Sequence, residues 1–198
     1  MRDSMITRLR YGNTNTFLIH GTGGKLLVDT DMAGTLPLFY KAIKESGVRV
    51  DEISYVLATH YHPDHMGLVS ELMGQGVRLL LVDVQKPFVH YSDAIFAKDK
   101  RLAYEPICEE AATVISCEDS RAFLRELGIM GEICSTPSHS ADSVSLFLDA
   151  GICLAGDLEP IEYLAGYEEN KQLSEDWELV LEHEPKCVYY GHSPATVF

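Results

Sequence analysis

The chain opens on alternating apolar and polar positions. Met5, Leu9 and Tyr11 share one parity, with Thr7 between them, while Arg8 and Arg10 take the other. Phe17 and Ile19 then alternate with Thr16, Leu18 and His20, and Lys25-Leu26-Leu27-Val28 follows the turn Gly21-Thr22-Gly23-Gly24. Period-two runs separated by Gly/Asn turns predict an antiparallel meander whose third strand ends at Asp29. The period then changes: Leu36, Phe39, Tyr40 and Ile43 fall at helical spacing between Thr35, a candidate N-cap, and Gly47, a candidate C-terminal glycine. The apolar run 53–58 predicts a buried strand. Met66, Val69, Leu72 and Met73 predict one helix from near His65 to Gly74 or Gly76, and Val77 to Val82 a further short strand.

Residues 83–112 carry Phe88, His90, Tyr91, Phe96 and Tyr104 without a clean period. Aromatic-rich segments between core elements more often pack than roof a site, so packing is the expectation and a substrate lid the alternative. Downstream, Val114-Ile115 reads as a strand, and Ser120 to Leu127 as a helix with Phe123, Leu124 and Leu127 inward and Gly128 ending it. Glu132 to Ser135 leads to Thr136-Pro137-Ser138-His139. Val144 to Leu148 and Ile152 to Ala155 flank the turn Asp149-Ala150-Gly151 as a hairpin, the second arm ending in Gly156-Asp157. Leu173, Trp177, Val180 and Leu181 predict a last amphipathic helix, and Cys187 to Tyr190 a last strand ending in Gly191-His192. Each half thus offers a strand ending in Asp (Asp29, Asp157), a helix, and a strand ending in His (His60, His192). A two-layer sandwich of similar halves would bring all four ends to one edge.

Composition narrows the class. A chain of 198 residues without a Pro/Gly/Ser linker predicts one domain over residues 1–198, and no apolar run approaches the roughly 20 residues of a membrane span. Met1 to Met5 carries a charge of each sign and no apolar core, so a cytoplasmic protein is expected. Cys108, Cys117, Cys134, Cys153 and Cys187 form no C-x-x-C pair, which argues for small packing residues over a disulfide scaffold. The formal net charge of −14 repels phosphate backbones, so nucleic acid is not an expected partner. Lys98, Lys100 and Arg101, around Asp99, make a lone basic cluster that reads as a solvated face.

The chemistry concentrates in Thr59-His60-Tyr61-His62-Pro63-Asp64-His65, where three imidazoles and a carboxylate follow an apolar strand. Neutral imidazole and carboxylate are what a borderline divalent metal takes as ligands. Adding His139, Asp157 and His192 gives five imidazoles and two carboxylates, about what two adjacent metals sharing one carboxylate need. Two divalent cations acidify a water and polarise a substrate oxygen, so hydrolysis there needs no protein nucleophile. Ser138, Ser140 and Ser193 flank ligands and are placed to touch substrate. Zinc is the default for this donor set, with iron and manganese compatible.

The order of these motifs, from Asp29 through the His60–His65 stretch, Thr136-Pro137-Ser138-His139 and Gly156-Asp157 to Gly191-His192, resembles the metallo-β-lactamase superfamily. That superfamily includes glyoxalase II, bacterial lactonases and ribonuclease Z. The resemblance implies an α+β fold, an αββα sandwich of two mixed β-sheets with helices on the outer faces and the site at one edge. It implies that His60, His62 and His139 bind one metal, that Asp64, His65 and His192 bind a second, and that Asp157 bridges. Asp29 would hold the ligand loop by hydrogen bonds, and Asp64 would take part in proton transfer.

Ser138 and Asp142 stand where the family commonly has glycine; a positive φ at 138 would strain Ser by about 1 kcal/mol. Only residues 193–198 follow His192, which points away from a glutathione thioesterase with its C-terminal helical region. The function expected is hydrolysis of a small-molecule ester, thioester or lactone. The alternatives are an iron-dependent persulfide-type dioxygenase, a phosphodiesterase, and a metal-containing ligand sensor.

Overall fold

The first alternation closes as the expected meander, with β1 (Ile6–Leu9), β2 (Thr16–His20) and β3 (Lys25–Val28) antiparallel in sequence order. The computed structural model describes residues 5–100, 102, 104–167 and 169–198. Arg101, the third member of the basic cluster, and residues 1–4, on which the reading of the N-terminus mainly rests, lie outside them. After α1 (Leu36–Glu45) the chain returns as β4 (Ile53–Leu57), parallel to β3. Two short helices, α2 (Pro63–Met66) and α3 (Val69–Met73), precede β5 (Arg78–Val82). Then α4 (Asp93–Phe96) precedes β6 (Thr113–Ile115), completing a mixed sheet in the order β1-β2-β3-β4-β5-β6.

The single helix expected from His65 to Gly74 is broken at 67–68. A Cβ on Gly67 would lie 2.2 Å from Ala33 N and 2.4 Å from Asp31 O, so the backbone passes too close to the 31–33 segment for a side chain. The helical ladder is also diverted: Leu68 N–H donates to Thr30 Oγ1 at 3.2 Å, and Asp64 O accepts the Thr14 hydroxyl at 2.7 Å. Side-chain hydrogen bonds of this kind compete with the i→i−4 pattern.

The second sheet begins after α5 (Cys117–Glu126), a helix three residues longer at its start than its apolar spacing indicated. The Ser116 hydroxyl caps it by accepting Asp119 N–H. Strands β7 (Gly131–Ser135), β8 (Val144–Leu148) and β9 (Ile152–Leu154) are antiparallel. After α6 (Lys171–Glu182), β10 (Cys187–Tyr189) lies parallel to β9, and β11 (Thr196–Val197) closes the edge. The similar halves therefore appear as two parallel pairs, β3/β4 and β9/β10, each crossed over by a helix.

Alternation within strands sets the layers. Leu18, Leu27, Val56, Leu79 and Leu81 face α1 and α3, whereas Phe17, Ile19, Leu26, Val28, Leu57 and Leu80 meet Ile133, Leu146 and Leu154 of the other sheet. On the far side Phe147, Cys153 and Val188 pack on Leu173, Trp177 and Val180 of α6. The result is the αββα sandwich. The expected inward face of α6 needs one correction: Leu181 is 45% exposed, and Asp176, only 2% exposed, turns inward. No helix among the described residues is long and apolar enough to cross a membrane.

Candidate metal centre

All seven sequence-selected donors come to one edge. His60 follows β4, and His62, Asp64 and His65 follow it across the start of α2. Asp157 and His192 follow the parallel strands β9 and β10, and His139 sits in the β7–β8 loop. Carboxyl ends of parallel strands are where open α/β sheets commonly collect polar loops.

The donor atoms form three overlapping groups: His60, His62 and His139; His60, His65 and Asp157; and Asp64, His65 and His192. His62 Nδ1 is 3.1 Å from His139 Nε2, while Asp157 Oδ2 is 3.9 Å from His60 Nε2 and 3.7 Å from His139 Nε2. On the other side His192 Nε2 is 3.1 Å from Asp64 Oδ2 and 3.3 Å from His65 Nε2. Asp157 reaches this group too, Oδ1 at 3.2 Å from His65 Nε2 and Oδ2 at 3.6 Å from His192 Nε2. Donors about 2.0–2.1 Å from one zinc ion stand roughly 3.3–3.4 Å apart at tetrahedral angles. The separations cluster around that edge length.

Two buried atoms point to the same use. His60 Nε2 has no hydrogen-bond partner. Asp157 Oδ1, although close to His65, lacks the alignment of a hydrogen bond and has no other partner. Buried polar atoms are normally satisfied, so orphans on facing imidazole and carboxylate groups fit a cation held between them.

The electrostatics agree. Burial, reinforced by the neighbouring His65, keeps His60 well below the usual histidine range, and burial likewise lowers His139. Both present lone pairs at neutral pH. Burial alone would also lower His65, but Asp29 and Asp157 on either side outweigh it and push the imidazole up to about 10. Burial opposes the Asp157 charge, yet His65 and the other imidazoles hold that carboxyl well below the ordinary carboxylate range. His65 would have to give up its Nε2 proton to serve as a ligand in the second group.

Asp29 lies where it can orient both groups. Its Oδ1 accepts Thr59 N–H at 2.6 Å, and its Oδ2 accepts the Thr59 hydroxyl at 2.9 Å and lies 3.0 Å from His65 Nδ1. Asp29 itself has φ 61°, the left-handed region that Asp tolerates better than most residues. Other buried braces were not assigned from the sequence. Asp142 Oδ2 accepts Tyr61 N–H at 2.7 Å, and Gln85 Nε2 donates to Ala58 O at 2.9 Å. Asp176 Oδ2 accepts Ser138 N–H at 2.8 Å, beside His139. The strain anticipated at Ser138 is absent: among the described residues only Asp29 and Glu184 combine a side chain with positive φ. The signal for Asp176 was present, an acid at i+3 from Leu173 on an otherwise apolar face.

Segment 83–112 divides between the two expectations. Val89, Phe96 and Ile107 pack into the core, but Tyr91 is 62% exposed with its ring 6.0 Å from that of His62. The Ser92 hydroxyl, donating to Tyr61 O at 2.6 Å, ties this rim to the ligand loop. An open cavity of about 140 Å³ is lined by His139, Asp157, Glu159, Tyr190, His192 and Ser193 among others. Ser193 thus lines the cavity, whereas Ser140 is spent on Ser143 at 2.8 Å.

An αββα sandwich with two imidazole-carboxylate donor groups at one edge defines a class of metal-site proteins. The chain belongs to the metallo-beta-lactamase superfamily, whose family profile matches residues 9–192. It is similar to the Beta-lactamase-like protein 2 homolog of Drosophila melanogaster, 25% identical over 185 residues, or 90% of this chain and 58% of that protein. The chain thus spans less than two-thirds of that relative's length. Among solved structures, a metallo-beta-lactamase family protein of Thermus thermophilus superposes with a TM-score of 0.72 at 20% identity. That match covers 98% of this chain and 75% of the other. A chemotaxis sensor named ODP, described as a peroxy diiron species, superposes at 0.70 with 16% identity over 100% of this chain and 88% of that one. At such identities these likenesses establish the fold.

Proposed function

We propose that the protein is a dinuclear metal-dependent hydrolase, by default a zinc enzyme, acting on small esters, thioesters or lactones whose remote group carries no negative charge. The observation that carries this reading is the pair of donor groups sharing Asp157, with His60 Nε2 and Asp157 Oδ1 left unsatisfied between them. His60, His62 and His139 would hold one ion, Asp64, His65 and His192 the other, and Asp157 would serve both. Such ions acidify a water toward a pKa of about 7 and polarise an ester carbonyl.

The chain's own residues supply position and proton transfer. Asp64 Oδ2 faces His192, and its other oxygen, without a hydrogen bond among the described residues, is the group to accept a proton and return it to the leaving alkoxide or thiolate. Tyr91 offers an exposed ring on the His62 side for an apolar group. Beyond the donor residues, Leu158, Glu159, Pro160 and Tyr190 line the cavity, and the described residues that line it include no Lys or Arg. An anionic tail would face the Glu159 carboxylate without a counter-charge, which disfavours nucleotides and glutathione conjugates.

Two acetyl thioesters of opposite tail charge, acetylthiocholine and S-acetylglutathione, test this reading. The zinc-reconstituted protein is expected to bind close to two metals per chain and to prefer acetylthiocholine. Fewer than one tightly bound transition metal per chain, with no turnover of either thioester, of p-nitrophenyl acetate or of γ-butyrolactone, would refute the hydrolase. Oxygen uptake with glutathione persulfide by the iron-loaded protein would favour the oxygenase instead.

A further inference from the structure

The two donor groups rest on different supports. The His60, His62 and His139 side is braced by Asp142 on Tyr61 N–H, by Gln85 under Ala58, and by Asp176 on Ser138 N–H. Anchors of the other side come from the β1–β2 turn. The Thr14 hydroxyl donates to Asp64 O at 2.7 Å, and His192 Nδ1 lies 3.2 Å from Asn13 O. Asn15 brackets the same strand end, its N–H on Gly191 O at 2.7 Å and its Nδ2 on Tyr190 O at 2.8 Å. Thr30 holds His65 O through its N–H at 2.9 Å and its hydroxyl at 3.1 Å.

That turn is itself held by Asp31, a carboxylate only 2% exposed. Asp31 Oδ2 accepts Asn13 N–H at 2.6 Å and Thr14 N–H at 3.2 Å, and Oδ1 accepts Met32 N–H at 2.6 Å. Both oxygens are therefore occupied by backbone donors, and the site-facing work is done one residue further on. Asn13 O can only accept, so His192 donates its Nδ1–H there and turns Nε2 toward Asp64 and Asp157, where it would be the atom offered to a metal. Apart from the shared donor Asp157, Asp29 is the buried carboxylate among the described residues that touches both sides.

We propose that Asp31 is a positioning residue for the Asp64, His65 and His192 metal position, and Asp176 for the His60, His62 and His139 position. On that basis the two ions can be lost independently. The inference rests on the dinuclear reading of the site. Replacing Asp31 by Asn puts an NH2 group against a backbone N–H whichever way the amide turns, so the 12–15 turn loses an anchor. His192 and Asp64 then lose their orientation, while His139 keeps its own.

Footprinting separates the two positions without recourse to activity. The His139 and His192 side chains are 30% and 39% exposed, so diethyl pyrocarbonate reaches each unless a metal holds it. Metal-free protein is titrated with zinc, the modified histidine is located by mass spectrometry, and bound zinc is counted by native mass spectrometry. For Asp31→Asn, and for the near-isosteric Thr14→Val, the zinc concentration that protects His192 should rise about tenfold or more. That for His139 should move less than about threefold. Asp176→Leu, close in size but with no acceptor for Ser138 N–H, should show the reverse, a crossing that general loss of stability does not produce. Equal shifts at both histidines, or none, in Thr14→Val and Asp31→Asn would overturn the proposal; if Asp31→Asn fails to fold, Thr14→Val decides. Zinc that protects neither histidine in the unsubstituted protein would overturn the metal-centre reading itself.

Discussion

Gly191 offers a direct test of how tightly the centre is built. A Cβ added there would lie 2.5 Å from Asp157 Oδ1, 2.7 Å from His65 Cε1 and 3.4 Å from His65 Nε2. Carbon contacts settle near 3.5–4.0 Å, so the His65 ring would have to retreat by about 0.8 Å or more. It has no room to do so. The ring is fully buried, its Nδ1 is 3.0 Å from Asp29, and its carbonyl is held by Thr30. Asp157 could turn away, but its carboxylate would then leave the space between the two donor groups. Metal–donor distances tolerate about 0.2 Å, far less than the displacement required. Gly191→Ala is therefore expected to weaken zinc binding about 10- to 100-fold. Activity of the reconstituted protein should fall about 100-fold, and overpacking should lower stability by about 1–3 kcal/mol. Zinc per chain after dialysis against graded chelators, kcat/KM on an acetyl thioester, and urea unfolding measure the three effects. A variant that keeps two zinc ions at unchanged affinity, with turnover within about threefold, would refute the steric argument.

Trp177, fully packed under β9 and β10 with its Nε1–H on Glu159 O at 2.9 Å, should cost about 3–5 kcal/mol when replaced by Ala, read from urea midpoints. In the metal-free protein the raised His65 pKa contributes stability that is fully present below the ordinary histidine value and is lost as pH rises through about 10. Unfolding in EDTA should show this decline between pH 7 and 10, flattened in His65→Gln; a parallel profile for the two proteins would contradict it. Zinc uptake near pH 7 should correspondingly release a proton, visible as a buffer-dependent heat in calorimetry. Tyr91→Ala should raise KM for apolar esters several-fold with kcat and stability little changed, because the ring is exposed beside His62 rather than in the core; a fall in kcat alone would assign it another role.

Much of this centre was legible along the chain because three of its donors, His60, Asp157 and His192, follow apolar strands and the others stand close to such a strand in sequence. Strand periodicity located β3, β4, β9 and β10, and the polar residue closing each of them is Asp29, His60, Asp157 or His192. Candidate donors announce themselves by residue type, and although a lone histidine is more often structural, the order of the whole set along the chain marks these as a group. The braces do not announce themselves in that way. Asp31, Asp142 and Gln85 are ordinary loop residues in sequence, and what distinguishes them is burial against backbone N–H and C=O groups 17, 81 and 27 positions away. Asp176 alone left a trace, an acid on the apolar face of α6. The break between α2 and α3 was hidden for a similar reason, since the hydroxyls of Thr14 and Thr30 that divert the helix come from the β1–β2 turn and from just after β3.

The sequence by itself determined the periods of the strands and helices, the acidic balance and the kinds of donor the chain offers a metal. These properties follow from residue type and local spacing, and they need no partner. Tertiary structure decided which donors lie close enough to share an ion and which anchors hold them. It carried Asp157 to within reach of both His60 and His65, turned Asp176 inward and Leu181 outward, and placed the β1–β2 turn under His192. Distances of this kind are fixed only when two sheets pack and strands far apart in the chain end at the same edge.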